Sequence, residues 1–136
     1  MESIRNSVRL MRGTLPLIDR FSNVQIRDTV LNAINGKHYT LAVVEHFWCA
    51  PYLQILREHA DHVILDLHNI ESVLHERSSK VEPWLLSIAH NRFARLARKM
   101  ERQWIPQFDL TLTCSETDRQ SLMSRVSGVT LVVYPN

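Results

Sequence analysis

The sequence predicts an α/β fold built on a parallel sheet, and three observations carry this prediction. Four apolar runs, at 39–44, 62–67, 110–113 and 129–134, indicate strands. Helical patterns follow the first three runs, and strands that alternate with helices form parallel sheets. Each run also ends in polar residues. We therefore predict a three-layer sheet of about four parallel strands, with helices on both faces and function at the carboxyl ends of the strands.

The amino-terminal elements precede the first strand. The basic stretch 1–20 predicts a short helix and a turn, because Gly13 and Pro16 interrupt it. Ser22 or Asn23 is suited to cap a helix that runs to about residue 35. The apolar stripe expected on that helix consists of Val24, Ile26, Val30, Leu31 and Ile34.

The first two strands are expected at about 39–46 and 62–68. A helix from Pro51 to about residue 59 joins them, since proline suits the first turn of a helix. Asn69 is then expected to cap a short helix that runs to about residue 77.

A long helix is predicted over about 82–104. Apolar residues recur at spacings of three and four, which is the period of one buried helix face. That stripe consists of Leu85, Ala89, Phe93, Leu96, Met100 and Trp104. Basic residues between 92 and 102 lie largely off the stripe. The third strand follows at about 109–115, and Ser115 with Asp118 predicts the capped start of a helix to about Val126.

The composition fits one domain. The chain has 136 residues, of which 45% are hydrophobic, and a formal net charge of +2. No dense basic patch interleaves with aromatic residues, so nucleic acid is not an expected partner. Three scattered glycines exclude a dinucleotide fingerprint and a P-loop, because both need closely spaced glycines. Cys49 and Cys114 are expected to be reduced cytosolic thiols, and the histidines show no metal-binding spacing.

Four blocks of the sequence resemble a known family. "VVEHFWCAPYL" (43–53), "VILDLHNIESVLHER" (63–77), "FDLTLTCSETDRQSL" (108–122) and "LVVYPN" (131–136) are similar to successive blocks of glycosyltransferase family 4, which has the GT-B fold. The similarity is strongest to bacterial sugar transferases of the exopolysaccharide type. It implies a Rossmann-like sheet that forms part of an N-terminal, acceptor-side domain spanning 1–136.

The resemblance also implies a function. It is that of a retaining glycosyltransferase, metal-independent and without a cofactor, which moves a sugar from a nucleotide sugar to a glycan or lipid-linked acceptor. The family's first strands and its C-terminal donor domain have no counterpart in 1–136, so we expect no transferase activity from this chain alone. The expected location is the cytoplasm. Peripheral contact with the inner membrane face, through the basic helix 92–102, is left open against a solvated face.

His68 is the leading candidate catalytic residue. It follows the second strand in "DLHN" and matches the family's histidine at a strand end. An imidazole there could hydrogen-bond the donor sugar or the acceptor hydroxyl. His46 ends the neighbouring strand and is expected to contact the acceptor. The alternative for both is a purely structural histidine.

Four further residues are candidates for the cleft. Asn69 and Glu71 stand at a helix start, where capping and a favourable dipole contact are the alternatives to ligand binding. Ser115 and Glu116 match the family's serine–glutamate step after a strand. Ser115 is expected to cap its helix first and line the cleft second.

Two other functions stay open at this point. The chain could be a stand-alone, flavodoxin-like binding or regulatory module, or half of a split enzyme completed by a second chain. With the family's first strands missing, the strand at 39–46 would lie at an open edge of the sheet. Open edges invite pairing, so we expect self-association through it.

Overall fold

The computed structural model describes residues 8–9 and 11–135. Its four strands are β1 (Tyr39–Glu45), β2 (Ala60–Leu67), β3 (Leu110–Thr113) and β4 (Leu131–Val133). All three strand pairings are parallel and the order across the sheet is β1-β2-β3-β4. The predicted class is confirmed, because the described chain is an α/β protein with a Rossmann-like, all-parallel sheet flanked by helices.

Six helices and two short 3₁₀ segments are described around these strands. The 3₁₀ segments span Phe47–Tyr52 and Ile105–Gln107. The helices are α1 (Pro16–Phe21), α2 (Val24–Ile34), α3 (Leu53–Arg57), α4 (Glu71–Val81), α5 (Trp84–Trp104) and α6 (Glu116–Met123). The part of the predicted first helix that falls on residues 1–7 and 10, and the terminal Asn136, lie outside the described residues.

Several predicted boundaries need correction. Pro51 does not open a helix, because it lies inside the first 3₁₀ segment, which leaves only five residues for α3. The third and fourth strands are also shorter than the predicted spans of about 109–115 and 129–134. Asn23 is confirmed as a cap, since its side chain accepts a hydrogen bond from the backbone N–H of Ile26. On α2 only part of the predicted stripe is covered, and Val24 is 67% exposed.

The two faces of the sheet are covered very unequally. Parallel strands joined by right-handed crossovers in sequential order place the connecting helices on one face. The main core accordingly contains side chains from one face of β2, together with residues of α3, α5 and α6. Its fully buried strand residues include Val63 and Leu65, and Thr111 and Thr113 continue the same face on β3.

The opposite face carries apolar side chains that the described residues leave partly open. Leu41 is 47% exposed, Val43 is 50% exposed and Val132 is 45% exposed. Leu110 and Leu112 alternate onto the same face between them and are half-buried. β1 also lies at the edge of the sheet. Self-association through that edge stays a prediction.

The buried face of α5 is rotated from the predicted stripe. Its fully buried residues are Phe93, Ala94, Ala97 and Glu101, whereas Leu85 is 62% exposed. At 100° per residue, Leu85 lies about 120° around the helix from Ala97, at the margin of the buried face. The helix is also about 31 Å long, longer than the strands beneath it, so its first turn receives little cover.

A buried polar network joins α4, α5 and the segment that follows α6. The carboxylate of Glu101 is 2% exposed and accepts hydrogen bonds from the backbone N–H and the hydroxyl of Ser72, at 2.8 and 2.7 Å. Arg125 donates to the same hydroxyl at 3.2 Å. Glu76 pairs with both Arg98 and Arg125 at the margin of the network. The network fixes the first turn of α4 against α5 and the segment that follows α6.

Substitution of two leucines on neighbouring strands can test whether the two faces of the sheet are covered unequally. Leu65→Ala should lower the free energy of unfolding by about 3 kcal/mol, because it leaves a cavity in the core. Leu41→Ala should cost only about 0.5 kcal/mol, since its side chain is half exposed on the open face. Urea unfolding followed by circular dichroism measures both. Equal losses would mean that the second face is covered.

Candidate functional site at the carboxyl edge of the sheet

The structure brings His46 and His68 together at the carboxyl ends of β1 and β2. Their ring centroids are 4.4 Å apart with the planes tilted by 42°. The strands are hydrogen-bonded neighbours, and Glu45 of β1 pairs with Asp66 of β2. The two histidines thus leave adjacent strands at the same edge, where ligands bind in open parallel sheets.

The backbone of His46 has an unusual conformation. Among the described residues it is the non-glycine residue with a positive φ, at φ 71° and ψ 138°. Such a conformation costs on the order of 1–3 kcal/mol and persists only where the surroundings impose it. Here the His46 N–H donates to the carbonyl of Asp66 at 2.9 Å, and its carbonyl accepts from Cys49 at 3.1 Å. This strained turn directs the imidazole toward His68.

Trp48 extends the histidine pair into a stack of rings. Its indole lies 4.2 Å from the His46 ring with only 14° between the planes, and 6.2 Å from the ring of Phe21. We call Phe21, Trp48, His46 and His68 the ring stack. Trp48 was not among the predicted site residues. The only available signal was its place two residues after His46, and that spacing does not predict stacking unless the positive φ is known.

The environment of His46 disfavours its charged form. Burial lowers the pKa of this imidazole, and repulsion from His68 lowers it further. The carboxylates of Glu45 and Asp66 oppose this effect without reversing it. At neutral pH His46 is therefore a neutral imidazole, able to donate one hydrogen bond and to accept another.

A polar groove of about 310 Å³ lies beside the ring stack. Asn69 and Ser115 line it together with Arg77, Thr117 and Asp118. Cys114 ties the two regions together, because its thiol donates toward the carbonyls of Leu67 and His68 at 3.2 and 3.4 Å. Two of the predicted cleft residues, Asn69 and Ser115, thus share one groove next to His68.

Asn69 does not cap α4, so that prediction was wrong. The cap position belongs to Ile70, whose side chain is 4% exposed and belongs to the core. The first-turn N–H of Ser72 finds its acceptor in Glu101, 29 residues away along the chain. A local capping rule cannot foresee a cap supplied by another helix. Asn69 itself is exposed at the groove.

Ser115 caps α6 as predicted. Its hydroxyl accepts from the N–H of Asp118 at 3.1 Å and donates to that residue's carboxylate at 2.7 Å. Glu116 does not join the groove. It accepts two hydrogen bonds from Arg119 and one from Gln120, which lower its pKa to about 2. The hydrogen bonds of this carboxylate are therefore made within its own helix.

Glu71 is buried, which the sequence did not predict. It is 5% exposed and lines a small apolar cavity of about 70 Å³ with Phe47, Trp48 and Leu74. Burial, reinforced by the nearby charge of Glu101, raises its pKa to about 7. Burial also raises the pKa of Glu101, although the hydrogen bonds from Ser72 and the charges of Arg125 and Arg98 oppose this shift. Glu71 therefore sits beneath the ring stack as a carboxyl group that is largely protonated below neutral pH.

A second histidine pair lies deeper between α4 and α5. The Nδ1 atoms of His75 and His90 are 2.9 Å apart, and the ring of His75 also contacts Phe93. Burial lowers the pKa of His75 to about 4, and repulsion from His90 adds to this effect. The pair joins two helices and does not reach the groove.

The described residues contain no group of three or more His, Cys, Asp or Glu side chains placed to hold a metal ion. Nor does any helix in this part of the chain have the length and apolarity needed to cross a membrane.

Comparison with known proteins adds no relative. The chain matches no protein-family model, no curated protein and no solved structure. The likeness to glycosyltransferase family 4 therefore rests on the four sequence blocks alone.

The coupling within the histidine pair predicts a shift on mutation. In His68→Ala the pKa of His46 should rise toward its ordinary value, because a repelling and burying neighbour is removed. Titration of the imidazole Cε1–H signals by NMR measures this. His38→Ala, at an exposed position before β1, is the matched control and should leave the pKa of His46 unchanged. An unchanged pKa in His68→Ala would show that the two rings do not interact.

The buried Glu71 makes stability depend on pH. Because the pKa of Glu71 is raised, folding favours its protonated form. The stabilisation that Glu71 contributes is therefore complete below its unfolded-state pKa and is lost as pH rises through about 7. The contribution of Glu71 to the free energy of unfolding should therefore fall between about pH 5 and pH 7, by up to about 3 kcal/mol, while the lowered pKa of His75 acts in the opposite direction. Glu71→Gln should flatten this decline, whereas Glu58→Gln, at an exposed carboxylate, should not. A slope that Glu71→Gln leaves unchanged would refute the assignment.

Proposed function

We propose that the carboxyl edge of this sheet is the acceptor-side part of a glycosyltransferase site. The observation that carries the proposal is the pairing of His46 and His68 at the ends of adjacent parallel strands, 4.4 Å apart. The groove lined by Asn69 and Ser115 lies beside them. The order of the four family-like sequence blocks supports the same assignment.

The chemistry of the edge suits a sugar hydroxyl. A neutral imidazole accepts a hydrogen bond from a hydroxyl group and can take its proton as that oxygen becomes nucleophilic. The lowered pKa of His46 keeps this imidazole neutral. His68 directly precedes Asn69 of the groove and is the proposed base or sugar contact, with the ring of His46 packed 4.4 Å away to support its orientation.

The groove supplies the remaining polar contacts. Asn69 offers both a donor and an acceptor, as a sugar requires, and Arg77 places a cation on the same wall. Glu116 is not part of the proposal, because Arg119 and Gln120 occupy its carboxylate. The donor that the family resemblance implies is a nucleotide sugar.

The test is ligand titration of the isotope-labelled full chain. Octyl β-glucoside serves as an acceptor probe, and UDP-glucose and GDP-mannose serve as donor probes. We expect saturable shifts of the His46 and His68 ring signals with the glucoside. His68→Ala should weaken this binding by about tenfold or more, since a good hydrogen bond to a bound group contributes about 1.5 kcal/mol.

The matched control is His38→Ala, which removes an exposed histidine before β1, at the other end of the strands. It should bind the glucoside like the natural chain. Saturable shifts confined to residues away from the carboxyl edge, or no shift with any of the three probes, would overturn the proposal.

A further inference from the structure

The first turn of α5 exposes a cluster of large apolar side chains. Trp84 is 71% exposed, Leu85 is 62% exposed and Ile88 is 46% exposed. Val81, at the end of α4, is 83% exposed beside them. Burying such groups would be favourable, and a contiguous exposed apolar patch commonly marks an interaction surface.

The rest of the outer face of α5 is basic. Arg95, Lys99 and Arg102 lie along it, and with Arg98 and Gln103 they line an open groove of about 450 Å³. Arg98 is engaged by Glu76. Within the described part of the chain, no ion pair neutralises Arg92, Arg95, Lys99 or Arg102.

The apolar and basic groups share one side of the helix. At 100° per residue, Trp84, Ile88, Arg95, Lys99 and Arg102 fall within an arc of about 60°. The one acidic residue of α5 is Glu101, and it is buried on the opposite side. The outer face is therefore a strip about 27 Å long, apolar at its first turn and cationic beyond it.

We infer that this face of α5 docks the protein on an anionic membrane surface. An interfacial helix buries its apolar residues at the boundary of the acyl chains while lysine and arginine contact acidic headgroups. Trp84 is suited to the interface, because an indole combines an apolar ring with a polar N–H. This inference does not depend on the proposed sugar site.

Other occupants fit the face less well. A nucleic acid would leave the aliphatic Leu85 and Ile88 without a favourable contact, and no aromatic residue interleaves with the basic ones on the strip. A second copy of the chain would bring two unneutralised cationic strips together, and like charges repel. An anionic bilayer complements both halves of the strip at once.

The test is co-sedimentation of the full chain with lipid vesicles. Vesicles with about one quarter phosphatidylglycerol in phosphatidylcholine should bind the protein, and pure phosphatidylcholine should bind it at least about tenfold more weakly. The binding should weaken as salt rises toward about 0.5 M, because salt screens the headgroup charge.

Two variants separate the contributions of charge and apolar contact. Arg95→Glu combined with Lys99→Glu should weaken binding to anionic vesicles by about tenfold or more. The control is Arg27→Glu combined with Lys37→Glu, which changes net charge equally at exposed positions elsewhere. Trp84→Ala should weaken binding severalfold, whereas Val24→Ala, at another exposed apolar position, should not. Circular dichroism verifies that all variants fold.

Several outcomes would overturn the inference. Equal binding to neutral and anionic vesicles, no binding to either, or equal losses in the control charge variant would each do so. If the protein does not bind vesicles but elutes as a dimer in size-exclusion chromatography, and Trp84→Ala converts that dimer to a monomer, the patch would be assigned to a second copy of the chain. Binding of a duplex oligonucleotide without vesicle binding would assign the face to nucleic acid.

Discussion

The side chain of Glu101 fixes the start of α4 next to the carboxyl edge of the sheet. It is buried in α5 and accepts both the backbone N–H and the hydroxyl of Ser72 in the first turn of α4. That turn follows His68 by only four residues. Because a buried polar group is stable only when its hydrogen bonds are satisfied, movement of the start of α4 would leave the side chain of Glu101 without its two partners in that turn. The positions of His68, Asn69 and Glu71 thus depend on a residue from another helix.

The sequence was sufficient to predict the architecture and part of the candidate site. Apolar runs that alternate with helical patterns predict a parallel sheet, and polar residues at the run ends predict where His46 and His68 converge. The capping motif at Ser115 is local, and it was predicted correctly for that reason. Asn69, Leu85 and Glu71 were misjudged because their environments are set by distant residues. Helix periodicity alone does not locate the centre of a buried face, and on α5 that centre lies near Ala97.

The groups around the ring stack share an electrostatic character. His46 is held neutral by burial and by its neighbour, and Glu71 is held largely neutral below about pH 7 by its apolar cavity. Glu116 pairs with Arg119, whereas Arg77 on the groove wall and the carboxylates of Glu45 and Asp66 beside His46 are charged groups close by.

The sequential order of the strands has a consequence for how the protein acquires its structure. Each strand pairs with the next one along the chain, so every pairing needs only the closure of a single crossover. This keeps the sequence separation between contacting residues low for a parallel sheet, and low contact order favours rapid folding. During synthesis, β2 can pair with β1 before β3 has been translated. The later strands can then add to the sheet one at a time as translation proceeds.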